Sequence, residues 1–119
     1  MRVLLVEDHA DFRELLRAAL ERRGFLVETR AAVRDGMLAL ASGIYDVLLT
    51  DATLDEPEDG LELVRSAAKL GLERRIVLTG SHDVETRARE AGAHRVLMKP
   101  VLTSKVVAAL TGRHEVDED

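Results

Sequence analysis

The sequence predicts an α/β fold: a doubly wound, five-stranded parallel sheet covered by helices on both sides, a three-layer sandwich. Two observations predict it. Short, continuous apolar runs recur at Val3-Leu4-Leu5-Val6, Leu26-Val27, Val47-Leu48-Leu49, Ile76-Val77-Leu78 and Val96-Leu97-Met98. Unbroken runs of this kind suit strands buried on both faces of a parallel sheet. Segments of helical period separate them, so strand and helix alternate five times, and right-handed crossovers then place helices on both faces.

Each helix has its own signature. Phe12, Leu15, Leu16, Ala19 and Leu20 fall at i, i+3, i+4, i+7 and i+8, one face of a first helix. Arg22 and Arg23 give it a basic end, and Gly24 a C-terminal cap. Val33 to Leu40 forms a second helix ending near Gly43. Leu61, Val64 and Ala68 mark a third, stopped at Gly71. Asp83 to Ala91 is a short fourth, closed by Gly92. Ser104 is placed to cap a fifth, with Val106, Val107 and Leu110 facing inward. Residues 1–112 make one domain, and the acidic tail 113–119 has no core face and is expected to fray.

Composition excludes several functions. Phe12, Phe25 and Tyr45 are the whole aromatic supply, too few for base-stacking platforms. A net charge of −5 argues against direct nucleic-acid binding. Cysteine is absent, so disulfides and thiolate metal sites are excluded. No apolar stretch approaches the ~20 residues of a membrane span, and the start is too short and too soon polar for a signal peptide. A cytoplasmic location is expected. No Gly-x-x-x-x-Gly-Lys-Ser/Thr occurs, which removes a P-loop nucleoside triphosphatase.

The strand ends carry the chemistry. Ligands of such sheets bind beyond the carboxyl ends of the strands, where strand order reverses. Glu7-Asp8 ends the first strand, Asp51 the third, Thr79-Gly80-Ser81 the fourth and Lys99-Pro100 the fifth. If the first and third strands are neighbours, about 4.8 Å apart, their terminal carboxylates converge. Three carboxylates that close need a cation or a raised pKa. A hard divalent ion with oxygen ligands, Mg²⁺ or Mn²⁺, answers that need. Lys99 adds a point charge able to meet a phosphate. The set reads as an aspartyl-phosphate site: Asp51 attacks phosphorus, while Thr79 and Lys99 hold the phosphoryl oxygens.

With these residues in place, the chain resembles a response-regulator receiver domain, the phospho-accepting half of two-component signalling. The resemblance runs through "VLLVEDH", "YDVLLTD", "DGLELV", "IVLTG", "EAGA" and "VLMKP", nearly the whole length. It implies a flavodoxin-like sheet in the order 2-1-3-4-5, with Asp51 taking a phosphoryl group from a sensor kinase phosphohistidine or a phosphotransfer protein. It implies that Asp8 and Asp51 bind Mg²⁺, with Glu7 acting through water and Thr53 through its backbone carbonyl. Thr79 would turn its hydroxyl to the phosphoryl group, Lys99 would pair with it, and Lys99-Pro100 would be cis. The product would be a changed surface for a downstream protein, on a monomer or weak homodimer. Such a domain is a binding switch and not a metabolic enzyme.

Three features depart from the family pattern. Many receivers carry proline four residues after the phospho-acceptor and glycine eight after it; here Asp55 takes the first place and Gly60 is nine on. The loop is thus one residue longer and strongly acidic. Thirteen positions separate Thr79 from Gly92, about two fewer than is common, so the fourth helix or the loop before it should be short. Val96 stands where a switch Tyr or Phe is usual, and valine is stiff at χ1 with no ring to swing.

Of the remaining polar residues, His9 reads as helix-start polarity, and His82, His94 and His114 as surface residues with no ligand spacing. Thr53 and Ser81 suit either an influence on phosphoryl lifetime, as the resemblance implies, or loop capping. Arg74, Arg75, Arg87, Arg89 and Arg95 suit either a basic patch near the fourth helix or a solvated face. Two other functions compete. Val96 and the altered loops fit a scaffold that works without phosphorylation. "DATL" superficially resembles the haloacid-dehalogenase phosphohydrolase pattern, but that family puts its nucleophile after the first strand, where Glu7-Asp8 stands here.

Overall fold

The computed structural model describes residues 1–112; the tail expected to fray lies outside the described residues. Five parallel strands, β1 (Arg2–Val6), β2 (Leu26–Arg30), β3 (Val47–Asp51), β4 (Arg74–Thr79) and β5 (Arg95–Met98), form one sheet in the order β2-β1-β3-β4-β5. The helices are α1 (Ala10–Glu21), α2 (Val33–Ala41), α3 (Gly60–Lys69), α4 (Glu85–Ala91) and α5 (Thr103–Thr111), with a 3₁₀ turn at His82–Val84 before α4.

Strand alternation divides the core. Val3 and Leu5 pack with Leu16 and Leu20 of α1 and Val106, Ala109 and Leu110 of α5. Leu4 and Val6 pack on the other face with Leu40 of α2, Leu61, Leu63 and Val64 of α3 and Ala88 of α4. β1 and β3 lose nearly all contact with water on both faces, as their unbroken apolar runs require. Burying a leucine as fully as Leu63 stabilises the fold by about 1.5–3 kcal/mol. The order reverses between β1 and β3, which pair from Val3↔Val47 to Val6↔Thr50. Glu7 and Asp51, each one residue beyond the last of those pairs, therefore leave the sheet side by side.

Several expectations are corrected. Leu15 is 66% exposed: Leu16 and Leu20 define the inward stripe of α1, and Leu15 stands at its margin. Ala67, not Ala68, is the fully buried alanine of α3. Ser104 does not cap α5; Leu102 is the N-cap residue, because the Lys105 and Val106 N–H groups already close the first turn on the Leu102 carbonyl. Gly24 sits beyond the C-cap Arg22, and its positive φ of 94° turns the chain into β2. The fourth helix is short, as its spacing predicted: seven residues follow the 3₁₀ turn, closed by Gly92 in the left-handed region.

Candidate functional site

The carboxyl ends of β1, β3 and β5 bring four of the predicted residues together. Oxygens of Glu7, Asp8 and Asp51 all lie within 4.8 Å of one another. Lys99 Nζ donates to Asp51 Oδ2 at 2.9 Å and to Glu7 Oε1 at 3.0 Å. Glu7 is fully buried and Asp51 8% exposed, while Asp8 lies at the rim. The other Glu7 oxygen, Oε2, accepts the His9 N–H at 3.0 Å. His9 itself caps α1, its Nδ1 accepting the Phe12 N–H. The Lys99-Pro100 bond is cis.

Electrostatics set the character of the cluster. Burial pushes the Asp51 carboxyl up to about 6, with Lys99 pulling against it and Glu7 adding to it. Burial also acts to raise Glu7, but the His9 N–H and Lys99 overcome it and hold Glu7 below the usual carboxylate range. Desolvation and the neighbouring Glu7 raise Asp8. Burial disfavours the Lys99 ammonium, yet its bonds to Asp51 and Glu7 outweigh that and keep it above the ordinary lysine value. Three carboxylates thus share one ammonium. That deficit of positive charge, with oxygen donors alone, fits a hard divalent cation.

Thr79 and Thr53 stand differently. Thr79 is buried at the end of β4, and its Oγ1 accepts the Ser81 N–H at 3.0 Å and faces the Ser81 carbonyl. Its hydroxyl is thus engaged with its own loop. Thr53 is exposed, and its Oγ1 accepts the Glu58 N–H at 3.1 Å. Ser81 bonds its hydroxyl to Asp83. Thr53 thus caps its loop, whereas the Ser81 side chain caps no backbone group.

Other contributors were hidden in the sequence. The Phe12 ring lies 5.0 Å below Lys99 Nζ, a cation–π contact one turn into α1. Arg13 donates to the Glu7 carbonyl at 2.8 Å. Thr50, fully buried, donates to the Asp51 carbonyl at 2.9 Å. Gly60 starts α3 against that same carbonyl, where a Cβ would lie 1.9 Å from the Asp51 oxygen. The resemblance marked Gly60 as the glycine following the phospho-acceptor, one residue later than is common, but not the close approach that requires it.

The acidic loop is built, not loose. Asp59 accepts three backbone N–H groups, from Leu54, Asp55 and Glu56. Glu58, at φ 58°, pairs with Arg87 of α4 through two bonds of 2.7 and 2.6 Å. Arg89 pairs with Glu85, and Arg75 donates to the Leu72 and Gly92 carbonyls. These three arginines are committed within the fold and do not form an open basic patch. His82 and His94 are exposed, though His94 Nδ1 accepts the Arg75 N–H; His114 lies outside the described residues. Val96 is half-buried against the α2–α3–α4 side of the core.

Comparison with known proteins agrees with this geometry. Residues 3–111 match the family model described as the response regulator receiver domain. The chain is 34% identical over 113 residues to the transcriptional regulatory protein GltR of Pseudomonas aeruginosa, covering 91% of this chain and 46% of that one. It spans about half the length of the curated relatives it matches. A CheY-like receiver domain protein from Methanospirillum hungatei superposes with a TM-score of 0.85 at 29% identity, covering 93% of this chain and 90% of that one. A response regulator from Burkholderia pseudomallei, solved with a phosphorylated aspartic acid, a calcium ion and citrate, superposes with a TM-score of 0.84 at 28% identity, over 92% of this chain and 65% of that one. The family match, together with the acid cluster and its lysine, does not favour the phosphorylation-independent scaffold. The chain belongs to the response regulator receiver domain family of two-component systems.

Proposed function

We propose that Asp51 is the phospho-acceptor of this receiver domain. The observation that carries the proposal is a buried carboxylate bonded to Lys99 and flanked by Glu7 and Asp8 at the switch point of the sheet. An Asp51 oxygen attacks the phosphorus of a phosphohistidine on a sensor kinase or phosphotransfer protein. The P–N bond breaks, and the imidazole nitrogen leaves with a proton taken from solvent. Lys99, already 2.9 Å from Asp51, follows the phosphoryl oxygens, and Thr79 releases Ser81 to donate its hydroxyl to them. Asp8, Asp51 and the Thr53 backbone carbonyl would hold Mg²⁺ or Mn²⁺, with Glu7 reaching it through water. A cation bound there offsets the negative charge gathered by the transfer.

The calcium ion and phosphorylated aspartate of the Burkholderia protein support this reading. Freeing Thr79 breaks its bond with the Ser81 N–H, so the β4–α4 loop must rearrange. That rearrangement alters the surface offered to a downstream protein. With no tyrosine or phenylalanine at Val96, the readout runs through the loop and the short α4 instead of a swinging ring. Among the described residues no helix is long and apolar enough to cross a membrane, which accords with a cytoplasmic site of action.

The test is incubation with Mg²⁺ and a small-molecule phosphodonor, or beryllofluoride, beside Asp51→Asn, followed by intact mass and partner binding. A Mg²⁺-dependent adduct absent from the variant is expected. No Asp51-dependent adduct overturns the proposal; rapid turnover of free phosphate esters would favour a hydrolase.

A further inference from the structure

Asp59 shapes the loop beside Asp51. Its Oδ1 accepts the Leu54 N–H at 2.7 Å, and its Oδ2 accepts those of Asp55 and Glu56 at 3.0 and 2.9 Å. The Glu58 N–H bonds to Thr53 Oγ1, and the Gly60 N–H to the Ala52 carbonyl, so the loop closes on itself.

The Leu54 bond is the important one. The Leu54 N–H and the Thr53 carbonyl belong to one rigid, planar peptide unit, in which the two groups point in opposite directions. Anchoring the N–H on a carboxylate therefore fixes the direction of the carbonyl. It also polarises the peptide, because an N–H engaged by an anion leaves more negative charge on the carbonyl oxygen. We infer that Asp59 is a positioning residue for the divalent cation, orienting and polarising the Thr53 carbonyl through the Thr53–Leu54 peptide. This rests on the reading above that the Thr53 carbonyl is a ligand.

Position and charge can be told apart here. Both Asp59 oxygens are taken by backbone N–H groups, and Glu58 is committed to Arg87. Asp55 and Glu56 are exposed and bring the same kind of charge to the loop. Removing them lowers the loop's charge while leaving the Leu54 bond in place.

The test is Mg²⁺ titration of the full chain by calorimetry, for the wild type, Asp59→Ala, Asp59→Asn and the double variant Asp55→Asn/Glu56→Gln. Circular dichroism melts establish that each is folded. Loss of an outer partner of a metal ligand weakens binding by roughly 10–100-fold. Asp59→Ala should therefore bind about tenfold or more weakly, and the double variant within about twofold of the wild type. Asp59→Asn keeps one acceptor oxygen and should fall between; it carries the test if the alanine variant does not fold. The Thr53 carbonyl-carbon resonance should move with Mg²⁺ in the wild type and less in the Asp59 variants. Absence of Mg²⁺ binding by the wild type overturns the metal-site reading itself. Binding by the wild type that Asp59→Ala or Asp59→Asn leaves unchanged overturns the role of Asp59. An equal loss in the double variant assigns the effect to charge and overturns it as well.

Discussion

Replacing Lys99 with methionine isolates the charge balance of the site. Methionine keeps the apolar stem and removes the ammonium that bridges Asp51 Oδ2 and Glu7 Oε1. Removing one partner of a buried ion pair costs about 3–5 kcal/mol. The Lys99 side chain is 28% exposed, which admits water and places the cost at the lower end, about 3 kcal/mol. With an unfolding entropy near 2.1 cal/mol/K per residue, that lowers Tm by about 12 °C at neutral pH. Two conditions should repair it. Mg²⁺ at about a hundred times its Kd stabilises whichever chain binds it by roughly 2.7 kcal/mol. The variant, lacking the ammonium that competes for Asp51 and Glu7, should bind Mg²⁺ more tightly than the wild type and so recover more. Lowering the pH should also help, with a sign fixed by linkage. Asp51 titrates near 6 in the fold, above its ordinary 3.8, so between those values the folded state holds more protons and stability falls as pH rises. Without Lys99 the Asp51 carboxyl rises further, so the deficit against wild type should be largest above about pH 7 and shrink towards about pH 5. Glu7, held low in the wild type partly by Lys99, loses that support and shifts in the same direction. Thermal melts followed by circular dichroism, across pH and with or without Mg²⁺, measure this. A Tm change under about 3 °C, or a deficit equal at both pH values and in Mg²⁺, refutes the charge-balance argument.

Two further outcomes follow from contacts around the loop. Gly60→Ala puts a Cβ 1.9 Å from the Asp51 backbone oxygen, so the loop must shift; a loss of about 1–3 kcal/mol in chemical denaturation is expected, with weakened Mg²⁺ binding. A variant as stable as wild type would show that the loop can move freely. Arg87→Ala removes both bonds to Glu58, but Arg87 is 47% exposed, so its effect on urea melts should be small and fade at high salt. A larger, salt-independent loss would contradict the exposed-pair account.

The sheet was legible because β1 and β3 are apolar without interruption, and only strands covered on both faces need that. Glu7, Asp8, Asp51 and Lys99 were legible because parallel strands bring their carboxyl ends to one edge. The short α4 could be read from the spacing of Thr79 and Gly92. Leu15 could not be placed, since it lies at the margin of the helical stripe, where periodicity does not distinguish core from solvent. Ser104 had the chemistry of a cap but sits one residue inside α5. Asp59 was hidden among five acids in "DATLDEPEDG", because which of them folds back onto backbone N–H groups depends on the path of the loop. Phe12 beneath Lys99 is likewise a tertiary fact, joining residues 87 positions apart.

The most direct measurement identifies the residue that carries the phosphoryl group. After reaction with a phosphodonor in Mg²⁺, borohydride reduction converts an aspartyl phosphate to homoserine, and peptide mass spectrometry locates it. Homoserine at position 51, and at neither Asp8 nor the acids of the following loop, is the predicted result. Homoserine at Asp8, or at Asp55 or Asp59 with Asp51 intact, would contradict the account.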